Sequence, residues 1–476
     1  MNLLVSRKEK SNKKSGEGIK VPHTLVIISL IILFVSIATY IVPGGAYEKV
    51  VNEAGKTVVV DGSFKYVENQ PQGLFQVLQA PVQGIIDGAE IIAFLFIVGG
   101  AFNLISKTKA IDFGIVNIVN VFKGKEILII PIITFIFSLG GAVFGMSEES
   151  VPFVAILVPL MLVLGYDSIM AVGVTYLACN LGFSSAMLNP FTVGIAQSIA
   201  EIPMFSGIEY RTIIWFITTT VGTLFLMMYA TKIKKNPEFS PVYESDKIKR
   251  ENLTNFGEDK DGFTFTHKII LSLLALCIGI IVWGVLTQGF WIPQIAAVFL
   301  VTGLASGIIG RLSGDEMADA FIEGAKGMIG AAIMIGFARA IVIIAENASI
   351  IDTILYNLAG VIGKLPPLLA ACIMYPIQMF INFFVGSGSG QAALTMPILA
   401  PLGDLIGISR QLTVLIFQFG DGFSNVIFPT SGILIACLGI AGVPFGKWLK
   451  WVMPLQGILF VLAITFITIG SLIGWA

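Results

Sequence analysis

The sequence predicts an all-α polytopic membrane protein built from two inverted repeats, with about nine transmembrane helices and two opposed re-entrant hairpins. Three observations carry that expectation. The composition is that of a membrane protein: 55% of the 476 residues are hydrophobic and 12% are charged, against about 25% charged in a soluble domain. Mean hydropathy is +0.88, and apolar runs of the roughly 20 residues a bilayer-spanning helix needs recur along the chain. Lastly, short patterns of the first half return in the second at a nearly constant offset.

The basic head, residues 1–21, precedes the apolar run TLVIISLIILFVSIATYIV. That run is long for a signal-peptide core, and its exit PGGAYEKV has no Ala-x-Ala-like cleavage site. It reads as a retained helix over about 24–43 with the head in the cytoplasm. The polar stretch 45–73 is then external. An apolar segment near 88–106 returns inward to Lys107, Lys109, Lys123 and Lys125, where cytoplasmic loops collect their positive charge. Residues 109–124 read as an amphipathic helix on that face.

A crossing helix at 127–145 would leave TKIKKNPEF and DKIKREN outside, against the charge rule. Residues 127–165 therefore read as a hairpin that enters, turns at MSEES and leaves. A broken helix at 168–200, a helix at 211–231 and a charged, solvated cytoplasmic loop at 232–267 follow. Helices near 268–287, 292–310 and 320–344 open the second half. A hairpin at 366–404, a broken helix at 408–438 and a last helix at 451–474 complete it, which leaves Lys447 and Lys450 inside.

The repeat has an offset of about 240 residues. IIDGAE (85–90) faces FIEGAK (321–326), Ile111-Asp112 faces Ile351-Asp352, ILVPL (156–160) faces ILAPL (398–402), and GFS at 182–184 recurs at 422–424. Any one match is cheap in an apolar alphabet, but four in order at one offset are not. The halves are then 22–231 and 291–476, joined by the loop and an extra helix at 268–290. In the predicted topology they point in opposite directions through the membrane, a signature of secondary transporters with a midplane site.

Four polar clusters interrupt the apolar background, two per repeat: GMSEES (145–150), CNLGFSSAMLNPFT (179–192), VGSGSGQ (385–391) and FGDGFSNVIFPTS (419–431). Non-helical backbone at membrane depth survives only when buried in protein or lining a wet cavity. Gly386, Gly388 and Gly390 permit a tight turn and close approach of a ligand. Ser387 and Ser389 offer hydroxyls and a cap for the returning helix, whose free amides suit a carboxylate. Asn180, Asn189-Pro190, Asn425 and Pro429-Thr430 break the other helices and free carbonyls for a cation. Glycine and serine also mediate plain helix packing; the symmetric placement of four clusters favours a gated site.

Glu148, Glu149 and Asp421 lie in these clusters, and a charge at the bilayer centre costs about 2.5–3.5 kcal/mol on insertion scales. With three carboxylates and no lysine or arginine, the clusters suit a cation: a basic side chain, Na⁺ or H⁺. A glutamate at a wet cytoplasmic mouth would need no such role. Arg339 is the one arginine within an expected span, and it either binds a carboxylate or, the preferred reading, pairs with Glu346 or Asp352. Asp87, Glu90, Glu323 and Lys326 read as markers of helix ends.

The four cysteines lie in apolar segments without metal-ligand spacing, and His23 and His267 flank apolar runs. Neither a metal centre, a bound cofactor nor a hydrolytic triad is expected, and no nucleotide-binding loop is present. An enzyme is the least favoured class. A channel fits two opposed hairpins less well than alternating access does.

GAVFGMSEESVPF, NLGFSSAMLNPFTVGIAQ, GSGSGQAALTMPILAPL and QFGDGFSNVIFPTSG resemble the YfcC family of basic amino acid antiporters. That family belongs to the C4-dicarboxylate anaerobic carrier-like group of the ion-transporter superfamily, and the likeness runs from about residue 20 to the end. It implies a scaffold and a transport domain moving like an elevator, as a homodimer in the bacterial inner membrane. Its site-forming segments fall on Ser147, Glu148, Glu149, Asn180, Ser184, Asn189, Ser387, Ser389, Gln391, Asp421, Asn425 and Thr430. The expected cargo is a small amino acid of the arginine or ornithine type. The alternative is a dicarboxylate or short-chain acid carried with Na⁺ or H⁺; no nucleic-acid partner is expected.

Overall fold

The computed structural model describes residues 24–51, 57–60, 62–111, 113–114, 117, 124–253, 264–288, 290 and 292–475. The basic head lies outside them, as does most of the expected amphipathic helix at 109–124. The described chain is helical apart from two small antiparallel sheets, β1 (Gly45–Ala46) with β4 (Lys65–Tyr66) and β2 (Lys49–Val51) with β3 (Thr57–Val59). Among the described residues, six helices are long and apolar enough to cross a membrane, or seven if one bent pair counts as a span.

Helix α1 (Thr24–Ile41) leads through the sheet segment to α2 (Leu74–Asp87) and α3 (Ala89–Lys107), which meet at Gly88. The sequence placed only the second of these. Three glutamines (Gln76, Gln79 and Gln83) and Pro81 hide α2 from a hydropathy scan, although its apolar face is wide. Next come α4 (Ile129–Phe144) and α5 (Ser150–Val163), joined by a short turn. The first broken helix comprises α6 (Ser168–Val172), a π-helical turn, α7 (Ala178–Ser184), a second π-helical turn at Pro190–Gly194 and α8 (Ile195–Ile199). Wide turns of this kind are frequent at functional sites. Helix α9 (Ile208–Lys235) is longer at both ends than expected.

The linker that follows is not simply solvated. It forms α10 (Tyr243–Leu253), and Asp246 on it is fully buried. Asp246 accepts hydrogen bonds from the Ser168 amide and hydroxyl, both at 2.7 Å, and pairs with Lys249 at 2.7 Å. Lys249 also donates to the Ala441 carbonyl at 2.6 Å. Beside this clasp, Asp167 caps α6 through the Met170 amide and accepts from Tyr229 and Ser240. Burial pushes its carboxyl above the usual carboxylate range, against the pull of those hydrogen bonds.

The second half runs through α11 (Phe265–Gln288), α12 (Ile292–Ile309), α13 (Gly314–Gly327) and α14 (Ile329–Asn347). Ser313 and Glu316 close a capping box at the start of α13, so this helix begins before the span expected at 320. Helix α15 (Ile350–Ile362) was not anticipated. Then α16 (Pro367–Val385) and α17 (Gly388–Ile406) are joined at Gly386-Ser387, and α18 (Arg410–Ser424) and α19 (Gly432–Ala441) flank a break. Helix α20 (Phe445–Leu472) begins six residues before the predicted 451.

The helices pack in matching pairs. α2 lies on α14 and α3 on α13; α1 lies on α14 and α12 on α3; α4 lies on α7 and α16 on α18; α5 meets α19 and α8 meets α17. Small residues make the closest of these crossings. A Cβ on Gly141 or Gly182 would run into the backbone of the facing helix, at Cys179 O and Ser138 O respectively, so α4 and α7 approach as only glycine allows. The sheet segment sits on α15. Gly45 N donates to Ser349 O at 2.9 Å, Tyr47 N to Asp352 Oδ2 at 3.1 Å, and Phe64 stacks on Tyr356 at 4.1 Å.

Candidate functional site

The tips of both helical hairpins and both helix breaks meet around one cavity of about 230 Å³. From the α4–α5 turn come Ser147, Glu148 and Glu149, and from the α16–α17 turn come Gly386 to Ser389. The break before α8 supplies Phe191 and Thr192, and the α18–α19 break supplies Asp421, Asn425, Thr430 and Ser431. Eight of the twelve residues chosen from sequence thus line one space: Ser147, Glu148, Glu149, Ser387, Ser389, Asp421, Asn425 and Thr430.

Local sequence fixes each tip. Gly145 turns the first hairpin at φ +74°, and Asn189 packs where any Cβ on it would sit. Glu149 is buried and folds back on its own turn, its Oε2 accepting the Ser147 amide at 3.0 Å. Gly386 turns the second hairpin at φ +57°, after which Ser387 caps α17 by accepting the Gly390 amide at 3.3 Å. A Cβ on Gly388 would lie 2.8 Å from Asp421 Oδ2 and 2.6 Å from a Thr192 methyl carbon. The tip backbone therefore rests directly on the second break.

The other four residues support this wall without lining it. Asn180 donates to Tyr176 O at 2.9 Å and Ser184 to Asn180 O at 2.5 Å, both within one helical stretch. Asn189 caps the second π-helical turn by accepting the Phe191 amide at 2.9 Å. Gln391 donates to Gln378 O at 2.9 Å, which ties α17 to α16.

The second break differs from the expectation in one respect. Its freed carbonyls are already engaged: Tyr176 donates to Asn425 O at 2.9 Å, Trp448 to Val426 O at 2.8 Å, and Asn382 to Asp421 O at 2.9 Å. Asn382 also reaches Ser424 Oγ at 2.7 Å and Asn425 Oδ1 at 2.8 Å. What stays available is side-chain oxygen. Asp421 Oδ2 and Thr192 Oγ1 are buried without a hydrogen-bond partner in the chain, and a buried polar atom left alone is costly.

Sequence reasoning left several wall residues off its list of site residues, although it had considered Arg339 as a carboxylate ligand. Asp87, Glu90 and Arg339 face the cavity from the α2–α3 bend and α14. Arg339 pairs with Asp87 at 3.4 Å, not with Glu346 or Asp352. The reason is topological, since α2 packs along α14 and delivers its C-terminal carboxylate there. The matched IIDGAE and FIEGAK patterns could have drawn attention to Asp87. Tyr176 and Thr192 lie beside chosen residues but carried no signal of their own. Among the described residues, no group of His, Cys, Asp and Glu side chains could hold a metal ion.

Many apolar spans enclosing a polar chamber with five carboxylates and one arginine define a multi-pass integral membrane protein of the solute-handling class. The chain belongs to the DcuC family, described as C4-dicarboxylate anaerobic carriers, whose model matches residues 21–472. It is 42% identical to the "Putative basic amino acid antiporter YfcC" of Escherichia coli (strain K12), over 95% of this chain and 97% of that protein. An uncharacterized protein of Haemophilus influenzae is 33% identical over 86% of this chain and 80% of its own length. Among solved structures, the YdaH transporter of Alcanivorax borkumensis aligns over 95% of this chain and 99% of that chain, at 16% identity and a TM-score of 0.42.

Proposed function

We propose that this family member is a secondary transporter that exchanges basic amino acids of the arginine or ornithine type by alternating access. The observation that carries the reading is the charge of the chamber. Glu148, Glu149 and Asp421 converge with Asp87 and Glu90 on a space where Arg339 is the one cation among the lining residues, itself paired with Asp87. A cationic cargo neutralises that surplus, and Asp421 Oδ2 and Thr192 Oγ1 find partners in it. The cargo's carboxylate meets the serine hydroxyls and the N-terminal amides of α17. The name of the Escherichia coli relative supports the same reading.

In this reading the matching pairs of helices are two inverted repeats, 22–231 and 291–476, and the hairpin-bearing helices move as a body against α1–α3 and α12–α14. Na⁺ or H⁺ coupling, a homodimeric assembly and the inner membrane of a bacterium, with the N-terminus in the cytoplasm, belong to the same proposal. A second reading, a carrier of dicarboxylates or short-chain acids, draws on the family's description and on Arg339 in the wall.

A ligand that binds the native state alone raises apparent stability by RT ln(1 + [L]/Kd), about 2.7 kcal/mol at a hundredfold excess over Kd. Purified protein is therefore warmed with arginine, ornithine, lysine, a neutral amino acid, succinate and butyrate, with and without Na⁺. Stabilisation by the basic amino acids, lost in Glu148→Gln or Glu149→Gln, is the expected result. Stabilisation by succinate alone makes the protein a dicarboxylate carrier instead.

A further inference from the structure

A second cavity, of about 760 Å³, lies behind the α16–α17 tip. Residues 386–389 face the candidate site, whereas the adjoining Val385, Gly390, Ala393 and Leu394 face this second space. One short turn is thus the partition between two chambers. The opposite wall is built by Gly45, Tyr47 and Lys49 of the sheet segment and by Glu346, Ser349 and Asp352 at the α14–α15 junction.

Two features make this more than a surface groove. First, α14 lines both chambers on one face: Arg339 stands in the wall of the first, and Glu346 stands in the wall of the second. Seven residues separate them, two helical turns or about 10 Å along the axis, so both side chains leave the same side of the helix. Second, the outer wall is fixed in place. Besides its hydrogen bonds to Ser349 and Asp352, the sheet segment is seated so closely that a Cβ on Gly45 would strike Thr353 and Phe64. Asp352 is engaged by the Tyr47 amide, which leaves Glu346 as the acidic group of this chamber that is not holding its wall together.

We propose that the second cavity is an antechamber of the candidate site, in which Glu346 is a transient subsite for the cationic end of a cargo and the Gly386–Gly390 turn is the door between the chambers. The identity of that cargo rests on the proposed function, but the sidedness and the charge preference of the chamber do not. A cation drawn in by Glu346 passes along α14 to the carboxylates of the main site, and the glycines of the turn give it the freedom to swing.

The test is cysteine labelling in membrane vesicles, with Ala393→Cys and Leu394→Cys as independent probes and exposed Gln70→Cys as the marker of the sheet-segment side. Cationic and anionic methanethiosulfonates of similar size are compared. Both probes should react from the side that labels Gln70→Cys. The cationic reagent should be favoured about two- to fivefold relative to that control, the reach of one screened charge, and Glu346→Gln should abolish the preference. Labelling only from the other face, no labelling in either probe, or equal rates unaffected by Glu346→Gln would overturn the proposal. If the preference is found while basic amino acids fail to exchange, the antechamber stands and the cargo assignment falls.

Discussion

At the scale of the residue, Asn382 shows how much depends on one buried amide. Its single nitrogen faces Asp421 O, Ser424 Oγ and Asn425 Oδ1, joining the hairpin to the break it closes on. Asn382→Ala leaves buried acceptors unpaired, a cost of about 1–3 kcal/mol, to be read as a lower unfolding temperature in detergent. Leu is a poor substitute there for the same reason. Gly182→Ala should be worse, near the roughly 3 kcal/mol upper end of overpacking, because the clash is with the Ser138 carbonyl and no rotamer relieves it. Polar residues in an apolar run are conspicuous, and so Glu148, Glu149 and Asp421 were visible in the sequence. Asn382 was not, because one asparagine among phenylalanines looks like a packing residue until its partners are seen. The partner of Arg339 was equally hidden: Asp87 is 252 residues away in the chain and adjoins it only through helix packing.

At the scale of the element, the hairpins were legible because glycine and serine punctuate them. Ser387 is the N-cap of α17, and Ser387→Ala should cost about 1 kcal/mol of stability. As Ser387 also lines the cavity, the same variant should weaken ligand-induced stabilisation, whereas a pure cap would leave it unchanged. The linker helix α10 was not legible. A charged, hydrophilic stretch reads as solvated when nothing in its own sequence says that Asp246 will be buried against Ser168. Breaking a buried pair from one side leaves an uncompensated charge and costs about 3–5 kcal/mol. Asp246→Ala, which strands Lys249, should therefore lower the unfolding temperature and expose the linker to protease more than Asp246→Ala with Lys249→Met does. The bends at Gly88 and Met328 were missed because hydropathy averages over them.

At the scale of the whole molecule, the apolar runs marked most of the helices in order but not α2, α10 or α15. They could not supply the distances between them. How the two halves touch is a matter of which faces carry small residues, and the sequence spreads those over the entire chain. The four clusters stood out in the sequence as polar interruptions and meet at one cavity, whereas the second cavity behind the α16–α17 tip had no such signal. It depends on a sheet segment whose polar composition gives no hint that it seats on α15. The chamber's size has a kinetic consequence. A cavity of about 230 Å³ falls below the roughly 300–1,000 Å³ range of pockets that take drug-sized ligands. That is the scale of a single small solute. Under the exchange proposed above, incoming and outgoing solutes use it in turn, so initial rates measured at several fixed concentrations of the opposing solute should give parallel double-reciprocal lines, the mark of a ping-pong cycle. Intersecting lines would mean that both solutes are bound at once, with the second cavity as the second seat.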